Sequence, residues 1–124
     1  MLTALVMLVA IFFAGMGLLA LAAPEKITET LGTPTLAPAG RNEVRAVYGG
    51  FGLAMAAVIL LAGRDPAIAR GLYLCLAAAL GGMAAGRLVS AAIERPGAFY
   101  PAWFYCALET AMALTLVAAA GTAP

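Results

Sequence analysis

The stretch Ala67–Ile93, AIARGLYLCLAAALGGMAAGRLVSAAI, decides the class of fold. It exceeds the roughly 20 apolar residues that a helix needs to cross a bilayer core. Its only charges are Arg70, near one end, and Arg87 in its second half. Three more such runs lie outward from it, at about Leu2–Ala23, Val44–Ala62 and Pro101–Gly121. Pro24, Arg41-Asn42-Glu43, Gly63-Arg64-Asp65-Pro66 and Arg95-Pro96-Gly97 separate them, and these are turn-forming or helix-ending residues. The expectation is an all-α integral membrane four-helix bundle, one domain over residues 1–124, with helices near 2–23, 44–62, 67–93 and 101–121.

Composition supports lipid as the solvent. The chain is 65% hydrophobic and 10% charged, against about 25% charged for an ordinary soluble domain. Its mean hydropathy is +1.01. A net charge of +1 with no basic stripe gives no field to draw in nucleic acid. The chain has no histidine, so the commonest metal ligand and the usual general base are missing. Cys75 and Cys106 form no CxxC, which argues against zinc, haem attachment and thioredoxin-like chemistry. Measured from the third turn the two cysteines differ by about 13 residues, or roughly 20 Å along a helix, too far for a disulfide.

No Lys or Arg precedes the first apolar run, which exceeds the usual signal core of about 7–15 residues. It is expected to be a retained helix. In the long first loop, Ile27 and Leu31 share a helical face. PEKITETL therefore reads either as a short interfacial helix or as a solvated linker, and Thr33–Gly40 as extended. The positive-inside rule leans toward placing the first and third loops in the cytoplasm, because Lys26, Arg41, Arg45 and Arg95 outnumber Arg64 and Arg70. Set Arg41 and Arg45 aside as members of a site and the count is level. An RxxY pattern opens the second and third helices at Arg45–Tyr48 and Arg70–Tyr73, and chance explains it better than an inverted repeat.

The intramembrane charges are the candidate site. Glu109 lies near the centre of the fourth helix, where an unpaired charge costs about 2.5–3.5 kcal/mol. Arg87 lies about 10 Å from the centre of the third helix. An arginine there can snorkel to the interface by itself. A short glutamate cannot, so Glu109 is expected to pair with Arg87. Arg45 stands at the same end of the second helix, flanked by Arg41 and Glu43, with Tyr48, Gly49 and Gly52 at i+3, i+4 and i+7 on its face. Ser90 lies one turn beyond Arg87, and Tyr105 and Cys106 one turn from Glu109. The expected ligand pocket is therefore Arg45, Arg87, Glu109, Tyr48, Tyr105 and Ser90, with Trp103 as a further wall. Phe99, Tyr100, Trp103 and Phe104 read mainly as an interfacial belt. Gly49, Gly50, Gly52, Gly81, Gly82 and Gly86 read as helix-packing positions, with a ligand groove along them as the lesser reading.

The motif RNEVRAVYGG at Arg41–Gly50, with GRLVS at Gly86–Ser90 and the acidic Glu109, resembles domain-of-unknown-function family 4345, small bacterial membrane proteins in the DoxX-like superfamily. The resemblance implies a four-helix bundle in a bacterial inner membrane and treats the Arg/Glu cluster as a shared site. It implies no established activity. Superfamily relatives include small subunits of quinone-linked sulfur-oxidising and other membrane redox complexes, but no residue set here would perform that chemistry unaided. Three functions follow. The first is a binding or accessory protein for a small anionic or amphipathic molecule or a lipid headgroup, able to dock on a larger membrane complex or on itself. The second is a quinone-linked redox subunit. The third is a proton-coupled transporter acting as an oligomer. No metal and no resident cofactor are expected, with quinone or lipid the possible ligands.

Overall fold

The computed structural model describes residues 1–33 and 36–123. Of the described residues 83% are helical, and none lies in a strand. The elements are α1 (Leu2–Ala22), α2 (Pro24–Glu29), α3 (Pro38–Val44), a π-helical turn (Arg45–Gly50), α4 (Phe51–Ala62), α5 (Pro66–Ile93) and α6 (Ala102–Thr122). α3, the π turn and α4 run on as one helix, Pro38–Ala62. With it, α1, α5 and α6 are four helices long and apolar enough to cross a membrane. The 21 residues of α1 span about 31 Å, close to the roughly 30 Å hydrocarbon layer. Their lengths and compositions are those of a multi-pass membrane protein.

The chain forms two compact units. One is Met7–Leu60; the other is Met1–Val6 together with the chain from Leu61 onward. In the first, α1 packs antiparallel against the π turn and α4 through three glycines. A Cβ built on Gly17 would lie 3.0 Å from the carbonyl oxygen of Gly49 and 3.0 Å from the backbone nitrogen of Leu53. One on Gly52 would lie 3.1 Å from the Phe13 carbonyl oxygen. Helix backbones approach this closely only where side chains are absent.

The π turn has a reason in the burial pattern. Gly49, Gly52, Ala56 and Ile59 are buried at the three- and four-residue spacings of an α-helix, but the preceding buried residue is Val44, five before Gly49. An α-helix would carry those two out of phase. One wider turn, with the amide of Phe51 donating to the Ala46 carbonyl, absorbs the extra residue.

The first connection also differs from expectation. α2 confirms the short helix in PEKITETL. It ends in a Schellman motif: Gly32 has φ +78, and the amides of Thr33 and Gly32 donate to the carbonyls of Thr28 and Glu29. The expected extended stretch Thr33–Gly40 does not hold beyond Ala37, because Pro38 opens α3 as its first residue. Proline lacks an amide hydrogen that a first turn would leave unpaired in any case. Pro34 and Thr35 of that stretch lie outside the described residues.

In the second unit, Asp65 caps α5. Its Oδ1 accepts from the Ala67 amide at 3.0 Å, and Pro66 takes the first helical position. After α5 the chain turns through residues 94–101 into α6. Threonines in the spans satisfy themselves: Thr110 and Thr115 donate to the carbonyls of Cys106 and Ala111 one turn back.

Candidate functional site

The charge pair belongs wholly to the α5–α6 unit. The Sγ of Cys106 donates to the Ala84 carbonyl at 3.8 Å, which marks the register of the antiparallel pair. On that register Arg87 lies opposite Trp103, and Glu109 lies six residues further, about 9 Å along the axis. Side chains on a helix lean toward its N-terminus. In an antiparallel pair Arg87 and Glu109 therefore lean toward each other, and their lengths cover the offset. The contact is bidentate: Nε donates to Oε2 at 2.8 Å and Nη2 to Oε1 at 2.7 Å.

The surroundings complete the arrangement. Glu109 is buried at 4% exposure, while the Arg87 side chain keeps 30% of its surface. The Tyr105 ring lies against the guanidinium, 5.4 Å from centroid to Cζ. Tyr105 is packed in turn against Tyr100 and Phe104, with centroids 5.9 and 5.2 Å away. The carboxylate thus has both oxygens engaged in a charge-assisted fork, and the arginine is held at one edge and over one face. Among the described residues no buried side-chain nitrogen or oxygen lacks a hydrogen-bond partner.

Arg45 and Tyr48 lie in the other unit. Arg45 is exposed, and its Nε donates to the carbonyl of Leu21 at 3.1 Å. Leu21 is in the last turn of α1, where carbonyls have no partner within the helix. Arg45 is therefore a cap for α1. Arg41 clamps the first connection: its Nη1 donates to the Leu36 carbonyl at 2.7 Å and pairs with Glu25 at 3.4 Å. Glu43, expected beside these arginines as a structural residue, is exposed and forms no ion pair among the described residues. Tyr48 is half-buried within the π turn. The wider turn also corrects the expected face of Arg45, since i+3, i+4 and i+7 neighbours presuppose an unbroken α-helix. Ser90 is exposed, and its carbonyl closes the last turn of α5 by accepting from the Glu94 amide.

The glycines separate into two sets. Gly49 and Gly52 are buried against α1. Within the α5–α6 unit a Cβ on Gly81, Gly82 or Gly86 would meet no atom within 4 Å. Gly50 is exposed and would make only an ordinary 3.9 Å contact with the Arg45 carbonyl. The reading missed Gly17, the tightest glycine of α1. It also missed Glu25 as the partner of Arg41. In the sequence nothing sets Gly17 apart from its small neighbours Ala14 and Gly15.

An open, apolar groove of about 580 Å³ follows α6 along Phe99, Trp103, Cys106, Ala107, Thr110 and Ala111. Trp103 was expected as a pocket wall; neither Arg87 nor Glu109 lines this groove. Both cysteines are free, Cys75 exposed and Cys106 buried. No group of metal-ligating side chains occurs among the described residues.

These features define a small all-α membrane-type protein with a tyrosine-flanked arginine–glutamate pair whose glutamate is buried. The profile of the domain of unknown function DUF4345 matches residues 1–120, nearly the whole chain, and the protein belongs to that family. No curated protein and no solved structure matches it.

Proposed function

We propose that this is a membrane-embedded binding or accessory protein whose working site is Arg87, fixed by Glu109 and Tyr105. One observation carries the reading: a bidentate ion pair inside two apolar helices, with one partner buried and the arginine still 30% exposed. A pair needed only for helix packing is commonly matched by apolar residues of the same volume. A guanidinium oriented by a bidentate carboxylate and still 30% exposed suits an anionic or carbonyl-bearing headgroup. The site offers donors and an aromatic face, not a nucleophile–base pair, which favours holding over transforming. Its setting would be a bacterial inner membrane and its ligand a lipid or quinone headgroup, in line with the family resemblance.

The test is extraction of the purified protein into organic solvent, with mass spectrometry of what it retains. Wild type is expected to carry an enriched lipid or quinone that Arg87→Lys loses, because lysine keeps the charge and lacks the fork. Identical extracts from the two, with both proteins folded by circular dichroism, would sink the proposal.

A further inference from the structure

The two arginines of the first unit point to a second site, independent of Arg87. Arg41 and Arg45 are one turn apart, so their side chains leave the helix on neighbouring positions of one face. Each is anchored on one nitrogen, Arg41 through Nη1 to Leu36 and Glu25, Arg45 through Nε to Leu21. Among the described residues, Nη1 and Nη2 of Arg45 have no protein partner, and the side chain is exposed. A guanidinium tied through Nε presents its outer edge as a fork of fixed orientation. A backbone carbonyl neutralises none of its charge.

Position says what such a fork would meet. Leu21 is in the last turn of a helix as long as the hydrocarbon layer is thick. The fork therefore stands where the chain leaves the apolar layer, at the level of lipid phosphates. The nearby carboxylates do not compete. Glu25 is engaged by Arg41, and Glu43, two residues from each arginine, belongs to another face.

We propose that Arg45, assisted by Arg41, binds a phosphate group carried by an anionic phospholipid headgroup. Guanidinium forks match phosphate oxygens two at a time, and a side chain already immobilised loses little further freedom on binding.

Native mass spectrometry of the full chain in a neutral detergent tests this, with phosphatidylglycerol, phosphatidylcholine and inorganic phosphate titrated separately. Phosphatidylglycerol should bind about tenfold more tightly than phosphatidylcholine, and Arg45→Gln should remove most of that preference. Arg64→Gln, an exposed arginine beyond the end of α4, should leave it intact. Displacement of the lipid by inorganic phosphate would show that the phosphate alone is recognised; failure to displace it would show that the lipid body contributes. Equal binding of the two lipids, or equal losses in the Arg64 and Arg45 variants, overturns the proposal. Should Arg45→Gln not fold, Arg45→Lys decides: it retains charge without the fork, and an undiminished preference in that variant is equally fatal.

Discussion

Arg87 and Glu109 meet across about two turns of helical offset because each leans toward the start of its own helix. The pair therefore holds α5 and α6 in one register, and its two members are not equivalent. Arg87 keeps 30% of its side-chain surface, against 5% for Glu109. Left alone, the arginine can extend toward the interface, whereas the glutamate remains where it is. Arg87→Leu should thus destabilise the protein by about 3 kcal/mol or more, and Glu109→Leu by less. The double leucine variant should be more stable than Arg87→Leu, since no uncompensated charge remains. Unfolding of all three in detergent checks the order, and simple additivity would contradict it.

The glycines give a second ordering. At Gly17 and Gly52 an added methyl meets backbone atoms at 3.0 and 3.1 Å, which cannot swing aside. At Gly49 it meets the end of the Leu21 side chain, at 2.7 Å from Cδ2, which can change rotamer. Gly17→Ala and Gly52→Ala should cost about 1–3 kcal/mol, and Gly49→Ala less. Gly82→Ala and Gly86→Ala meet nothing and should be neutral or stabilising by up to about 1 kcal/mol through helix propensity. Thermal melts of the five variants would show whether the sequence's glycine-rich stretch in α5 contributes to packing within the chain.

Asp65 offers a local test. Its carboxylate bonds the Ala67 amide at 3.0 Å at the mouth of α5. Asp65→Ala should lower stability by about 1 kcal/mol and Asp65→Asn by much less, because asparagine retains a capping oxygen. Hydrogen exchange at the amides of the first turn of α5 reads this directly.

How much of this the sequence disclosed depends on which physical question was asked of it. Run length and punctuation sufficed for the four long helices, since crossing an apolar layer is a length requirement. The cost of an isolated carboxylate near mid-span was enough to bring Glu109 to Arg87. Spacing failed where the answer lay on another helix. Gly82 and Gly86 have the interval of a packing motif, but spacing shows only which residues share a face, not what stands opposite. For Arg45 there was no sign of the backbone carbonyl 24 residues away that takes its Nε, since carbonyls leave no mark in a sequence. Thr33–Gly40 read as extended, yet its Pro38 is the first residue of a helix, a position where proline is tolerated.

The π turn yields the sharpest prediction, because it treats one residue as surplus. Val44 and Gly49 face inward five apart, while every later buried position of that helix keeps α spacing. Removing Val47, which is 55% exposed, would leave Val44 and Gly49 four apart, the interval at which a plain α-helix puts both on one face. That deletion should be accepted with little loss of stability, and the Arg45 cap on α1 should survive it. Removing Ala54 instead, exposed but inside regular α4, would turn Gly52 by about 100° relative to Ala56 and Ile59 and should prevent folding or lower the melting temperature severely. Expression level and thermal unfolding of the two deletions in the same detergent decide the matter. Equal damage from both would mean that the wide turn holds something its backbone phase does not explain.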